Sequence, residues 1–418
     1  DLTPDFDWEL FLSEAGLDEL EELILWQPDF FTAFEAAFND VSISDWKAYL
    51  RFKLAASLAP QLSDDFFQAH FQMYSKALRG AEQPRERWQQ AVDGANEVLA
   101  EILSRIYLER YFPPEAHGRM MAMVDNLRAA FGVAIDDLEW MAPETKAAAQ
   151  KKLAALKVYV GYPEAWDDYS DLEIAADDLV GNTLRGRENI YRNHVGKLDG
   201  PPVYGKFARA TQEVNAYYSP ETSELVFLAG ILQPPFFDLE ADDAVNYGGI
   251  GGVIGHEISH AFDDQGRKVD ENGNLRDWWT EEDARQYELL ASQLAAQYDA
   301  YEPLPGLHVN GRLTLGENIA DLAGLTMAYR AYEKSLADGS PVIDGYDWRQ
   351  RLLMGWAQIW RSKYREGRLR ELVTSDPHSP PRYRINGVVR NMPEFYADFE
   401  VSNDAELYLA PEERVKIW

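Results

Sequence analysis

Two histidines four residues apart, His256 and His260, bracket a carboxylate in the run His256-Glu257-Ile258-Ser259-His260, and no other stretch constrains this chain so tightly. On a helix, positions four apart share one face, so both imidazoles can close on a single metal ion. Glu257 lies one step round the turn. Its carboxylate can miss the ion and still reach a water beside it, as a general base would. These residue types at this spacing suit a hydrolytic zinc site.

A catalytic zinc normally takes three protein ligands and keeps one position for water, so a third ligand is required downstream. Glu317 is the candidate. It opens Gly316-Glu317-Asn318-Ile319-Ala320-Asp321, where helical phasing stacks Glu317 and Asp321 on one face. Asp321, one turn on, is placed to accept the second N–H of His256 and fix its tautomer; Asp263, three residues after His260, is placed to do the same there. Taken singly, each carboxylate reads as a solvated helix face in a chain with 71 acidic residues. Taken together, the two phased motifs read as a metal centre.

The flanking segments extend the pattern. Asn246-Tyr247-Gly248-Gly249-Ile250-Gly251 and Val253-Ile254-Gly255 lead into the histidines, and Ala261-Phe262-Asp263-Asp264-Gln265-Gly266-Arg267 follows them. Val214-Asn215-Ala216-Tyr217-Tyr218 and Gly230-Ile231-Leu232-Gln233-Pro234-Pro235-Phe236-Phe237 lie upstream. Val309-Asn310-Gly311, Thr314-Leu315-Gly316-Glu317-Asn318 and Asp376-Pro377-His378-Ser379-Pro380 lie downstream. In this order and spacing they closely resemble the neprilysin-like (M13) family of zinc metalloendopeptidases.

The resemblance implies a mainly α fold with a small β-sheet, built as a thermolysin-like zincin catalytic lobe plus a helical lobe. It implies Zn2+ as cofactor and oligopeptides as substrates, cut on the amino side of hydrophobic residues. It also implies roles. Glu257, His378 and Asp321 form the catalytic set, His378 donating to the oxyanion; Asp263 and Asp321 support the ligands from behind. Arg384 binds a backbone carbonyl of the substrate, and Asn215 and Ala216 hold its backbone, although Asn215 also reads as a turn residue. Ile231, Phe236, Val253, Ile359 and Trp360 match the pocket for the side chain after the cut bond, and all five read equally well as core. Gly252 departs from the family pattern, where a large apolar side chain can stand, and is expected to widen that pocket. The final Lys416-Ile417-Trp418 lacks the cysteine and arginine usual before the last tryptophan.

Composition agrees with an enzyme. With 418 residues, 46% hydrophobic and 13% aromatic, the chain can bury a large core and is expected to form two lobes. A formal charge of −31 argues against nucleic acid and anionic membranes as partners. No apolar run reaches membrane-spanning length, and no signal peptide is visible. The absence of cysteine leaves the compartment open, with periplasmic or secreted favoured over cytoplasmic. The chain begins at Asp1 and its first residues resemble the interior of the family's domain. Family members carry a long additional N-terminal portion, so one expectation is that this portion is absent here or travels as a separate chain.

Up to about Lys197 the apolar spacing predicts helices: 46–58, 65–78, 88–107, 117–131 and the alanine-rich 145–156. His70, His117 and His194 fall there in isolation, and they, with His308, read as packing or surface residues. After Gly200-Pro201-Pro202 the pattern changes, and Val214 to Tyr218 with Leu225 to Leu228 predicts a hairpin. The expected division is therefore a helical lobe with inter-lobe helices over 1–197 and a zinc-binding lobe over 198–418. Gly248, Gly249, Gly251, Gly252 and Gly255 oppose helix formation locally by about 1 kcal/mol each, so tertiary packing must hold the histidine helix together. Two rival readings stand beside the peptidase: a non-catalytic peptide-binding relative and an inactive fragment.

Overall fold

The computed structural model describes residues 2–198, 200–201, 203–336 and 340–418. Contacts divide the chain into two compact units: Asp1–Ala77, Ala81–Val98 and Asp167–Val203 form one, and Leu78–Gly80, Leu99–Trp166 and Tyr204–Trp418 form the other. The fold is mainly helical with one small sheet, as the sequence predicts.

The first unit contains helices over Trp8–Glu14, Pro28–Asp40, Ile43–Leu58, Asp64–His70 and Leu179–Val195. Short polar side chains start several of them. Ser42 accepts from Asp45 N, and Asp178 from Gly181 N, each satisfying an amide that the first helical turn leaves bare. Phe6, Trp8, Phe11, Phe34 and Phe38 form an aromatic cluster within this unit.

The second unit holds the sheet and every element of the metal motif. β1 (Lys157–Gly161) runs parallel to β3 (Glu224–Leu228), and β2 (Ala216–Ser219) pairs antiparallel on the other side, giving the order β1-β3-β2. Leu225, Val226, Phe227 and Leu228 are all buried, which suits a central strand covered on both faces. The β2–β3 hairpin lies where the alternation places it, whereas β1 was not anticipated. β2 is an outer strand and packs against the histidine helix, Gly252–Ser259.

The expected cut at 197/198 is not where the contacts fall. Residues 99–166 belong to the second unit. The reason is the apolar stripe of the Pro114–Asp137 helix, in which Met120, Met123, Val124, Leu127 and Phe131 recur at helical spacing and sit in one core with Ile254, Ile258 and Leu325.

At the centre of that core the histidine helix crosses the Glu317 helix, Leu315–Ser335. A wide helical turn over Tyr247–Gly251 precedes the histidines. Here the glycines serve close approach. A methyl group on Gly248 would lie 1.9 Å from the Leu352 carbonyl oxygen, and one on Gly255 would lie 2.7 Å from the Cα of Gly324. Among the described residues, no helix is long and apolar enough to cross a membrane.

Candidate metal centre

His260 caps the histidine helix with its backbone still right-handed and its N–H bonded to His256 O, so helical geometry carries through both histidines. The two rings stand 4.6 Å apart between centroids, with Nε2 facing Nε2 at 3.0 Å. Glu317 enters from the first turn of the crossing helix. Its Oε2 lies 3.2 Å from His256 Nε2 and 3.8 Å from His260 Nε2. The three predicted ligands thus converge, one donor atom from each lying within 4.8 Å of the others.

A carboxylate lies behind each histidine. Asp321 Oδ1 is 2.8 Å from His256 Nδ1, and Asp263 Oδ2 is 2.7 Å from His260 Nδ1. The other Asp263 oxygen accepts from the backbone N–H groups of Gln265 and Gly266, which fixes its direction. A carboxylate facing each Nδ1 directs the two Nε2 atoms towards each other and towards Glu317. Glu317 Oε2 is buried where the Nε2 atoms of His256, His260 and His378 converge on it. Two imidazole nitrogens and a carboxylate oxygen converging in this way make a donor set that fits a metal ion of borderline softness.

The electrostatics point the same way. Burial favours the neutral His256 ring, but its contacts with Asp321 and Glu317 outweigh burial and raise its pKa to about 10. A ring that holds a proton so firmly is a strong donor to a metal. Burial works against the charged Glu317 as well, yet His256 and His378 hold its carboxyl well below the usual range. Glu257 differs: burial pushes its pKa up, with His256 and His260 only partly opposing.

Arg384 is buried, and its Nε and Nη2 grip the two Asp321 oxygens at 2.7 and 2.6 Å. Nη1 makes no hydrogen bond to an acceptor among the described residues. Its Cζ lies 3.8 Å from the centroid of the Trp360 ring, and Trp356 Nε1 donates to the Arg384 carbonyl. His378 reaches the centre from the loop before the Pro381–Val389 helix, with Nε2 3.1 Å from Glu317 Oε2. Asp376 Oδ1 holds it from the other side, accepting from the His378 N–H and lying 2.8 Å from Nδ1. Asp376 was not singled out in the sequence, although an Asp two residues before a loop histidine is an Asx-turn signal.

The remaining expectations divide. Asn215 immediately precedes β2; its Oδ1 accepts from Ala216 N and its carbonyl from Leu228 N, so it holds a local turn as well as standing at the sheet edge. Ile231, Val253 and Ile359 are buried in one core cluster with Phe236 and Trp360 packed against it. Gly252 does not widen a pocket: the Trp356 ring occupies the space over it, 2.6 Å from where a methyl group would stand. Trp418 is buried edge-on against Phe262, so the chain's last residues pack beside the segment that follows His260. His70, His117, His194 and His308 take no part in the centre, and His308 merely meets the Asp299 carbonyl from an exposed position.

Two models of one family, described as peptidase family M13, match residues 1–163 and 215–415. Over 434 residues the chain is 32% identical to Membrane metallo-endopeptidase-like 1 of Mus musculus, covering 99% of this chain and 56% of that protein. Over 433 residues it is 30% identical to Neprilysin of Mus musculus, covering 99% and 57%. Its fold matches the crystal structure of Mycobacterium tuberculosis zinc metalloprotease ZMP1 in complex with inhibitor, with a TM-score of 0.97 at 44% identity, covering 100% of this chain and 64% of that one. The chain spans a little over half the length of these curated relatives.

Proposed function

This chain belongs to peptidase family M13, the neprilysin-like metalloendopeptidases, and on that premise we propose that it hydrolyses oligopeptides at a zinc ion held by His256, His260 and Glu317. The observation that carries the reading is the meeting of three ligand atoms beside a buried carboxylate, Glu257, on the same helical turn. Bound zinc would supply Lewis acidity, polarising the scissile carbonyl and lowering the pKa of a water towards neutrality.

The chain's own residues do the rest. Glu257 takes a proton from the water as its oxygen bonds to the carbonyl carbon, then delivers that proton to the amine as the C–N bond breaks. Its burial-raised pKa suits both transfers. His378 donates to the oxyanion of the tetrahedral intermediate, a donor placed before charge develops. Arg384 holds a neighbouring backbone carbonyl through Nη1. Asp321 touches no substrate; it orients His256 and Arg384 together.

The peptide lies extended along the outer edge of β2, with Asn215 and Ala216 meeting its backbone. A hydrophobic side chain after the cut bond packs on Ile231, Phe236, Val253, Ile359 and Trp360, which sets cleavage on its amino side.

Glu257→Gln tests the reading. Hydrolysis of a quenched hydrophobic peptide should fall by about two to four orders of magnitude while zinc content stays unchanged. Substantial residual cleavage would reject Glu257 as the base. A fully zinc-loaded, unaltered chain that binds the peptide but never cleaves it would instead support the non-catalytic reading.

A further inference from the structure

We propose that Ser379 and Asn318 form a positioning pair that fixes where His378 stands over the metal centre; the proposal rests on the hydrolytic reading above. Asn318 follows Glu317 on its helix, and Ser379 follows His378 in the loop, so two contacts run side by side as rungs. The outer rung joins His378 Nε2 to Glu317 Oε2 at 3.1 Å. In the inner rung, Ser379 Oγ donates to Asn318 Oδ1 at 2.7 Å.

The two rungs differ in exposure. The His378 side chain is 45% exposed, so water and substrate can compete for its contact with Glu317. Asn318 is 0% and Ser379 2% exposed, so nothing in solution competes for theirs. The inner rung is therefore the one that sets distance. It is also anchored beyond itself: Asn318 Nδ2 donates to Thr314 Oγ1 at 2.9 Å, and Thr314 Oγ1 donates to the Asn310 carbonyl at 3.1 Å.

Asp376 orients the His378 ring, but it belongs to the same loop and moves with it. The Ser379 hydroxyl instead ties that loop directly to the helix that carries Glu317. Without it, Asn318 Oδ1 is left buried with no donor, and the simplest relief is for the loop to shift and admit water. A donor aimed at an oxyanion is sensitive to such a shift, whereas ground-state peptide binding through other contacts is not.

The test compares Ser379→Ala, Ser379→Thr, His378→Ala and the His378→Ala/Ser379→Ala double variant in the zinc-loaded chain, with zinc content and melting recorded for each. Ser379→Ala should lower kcat roughly tenfold with KM little changed and zinc retained. Ser379→Thr, which keeps the hydroxyl, should restore most of the loss. On the His378→Ala background the Ser379 change should add nothing, because its effect passes through His378. An undiminished further loss in the double variant, or a loss confined to KM or to zinc content, overturns the pairing.

Affinity for a peptide phosphonate, whose oxygens mimic the oxyanion, gives a readout without turnover. It should fall by a similar factor in Ser379→Ala and His378→Ala. If the unaltered chain fails to hydrolyse peptides, the catalytic reading falls, while phosphonate affinity unchanged by Ser379→Ala independently sinks the pairing.

Discussion

Gly255 and Gly324 meet backbone to backbone: a methyl group on Gly324 would lie 2.6 Å from the His256 amide nitrogen, and one on Gly255 would lie 2.7 Å from the Gly324 Cα. The helices carrying His256 and Glu317 can approach this closely only because neither residue has a side chain. That approach lets a carboxylate on one helix reach two imidazoles on the other. Gly324→Ala should therefore force the helices apart. Ordinary overpacking of a core destabilises by about 1–3 kcal/mol, and the obstacle here is rigid backbone, so the effect should lie at or above the top of that range. Melting and zinc titration measure it; an unchanged melting temperature with full zinc affinity would contradict the account.

Asp321 couples His256 to the buried arginine. One of its oxygens is shared by His256 Nδ1 at 2.8 Å and Arg384 Nη2 at 2.6 Å. Asp321→Asn keeps the size and removes the charge. His256 then loses its anionic partner, and zinc affinity should drop roughly 10- to 100-fold. Arg384 is left buried without a counter-charge, which should destabilise the fold by about 3–5 kcal/mol. Chelator competition and urea unfolding read the two effects separately, and a variant impaired in neither would show that the coupling is not functional.

Metal removal should be visible in stability as well as activity. With both Nδ1 atoms engaged by carboxylates, the facing Nε2 atoms 3.0 Å apart are directed at one shared cation, which a metal ion or, in its absence, a proton can supply. Zinc that binds only the folded chain stabilises it by about 4 kcal/mol at a thousandfold excess over Kd. Titrating zinc into chelated protein should raise the melting temperature continuously. Identical melting of the chelated and zinc-supplemented protein would mean that these residues hold no structural share of a metal.

Much of this centre was legible because it is local. His256 and His260 repeat at one helical turn, as do Glu317 and Asp321, and Asp263 follows His260 closely enough for backbone geometry to bring them together. What sequence could not supply was the identity of distant neighbours. The stripe of Met120, Met123 and Leu127 announces a buried face but not that it covers the metal helices, and so the lobe boundary was misplaced. β1 escaped notice because its partner β3 is remote in the chain and parallel to it. Gly252 suggested free space, whereas Trp356 fills it. The Ser379–Asn318 contact joins two residues beside known motifs, and only the folded chain aligns them.

Lys152 gives a prediction in which pH carries the sign. Its ammonium is fully buried, donating to the carbonyls of Gly266 and Val269 at 2.7 and 2.5 Å, and among the described residues no carboxylate comes within ion-pair distance. Burial lowers its pKa from 10.5 to about 8, with Asp263, Asp270 and Glu271 limiting the fall. An unfolded lysine keeps its proton up to about pH 10.4, so between pH 8 and that value the unfolded chain binds more protons than the folded one. Stability attributable to Lys152 must therefore rise with pH across this window and stay level below it. A gap of this size corresponds to about 3 kcal/mol at most. Lys152→Met removes the titration, and other groups cancel when the two proteins are compared. The difference in unfolding free energy, wild type minus variant, should climb from pH 8 to pH 10; a flat or falling difference would show that Lys152 keeps an ordinary pKa in the folded chain.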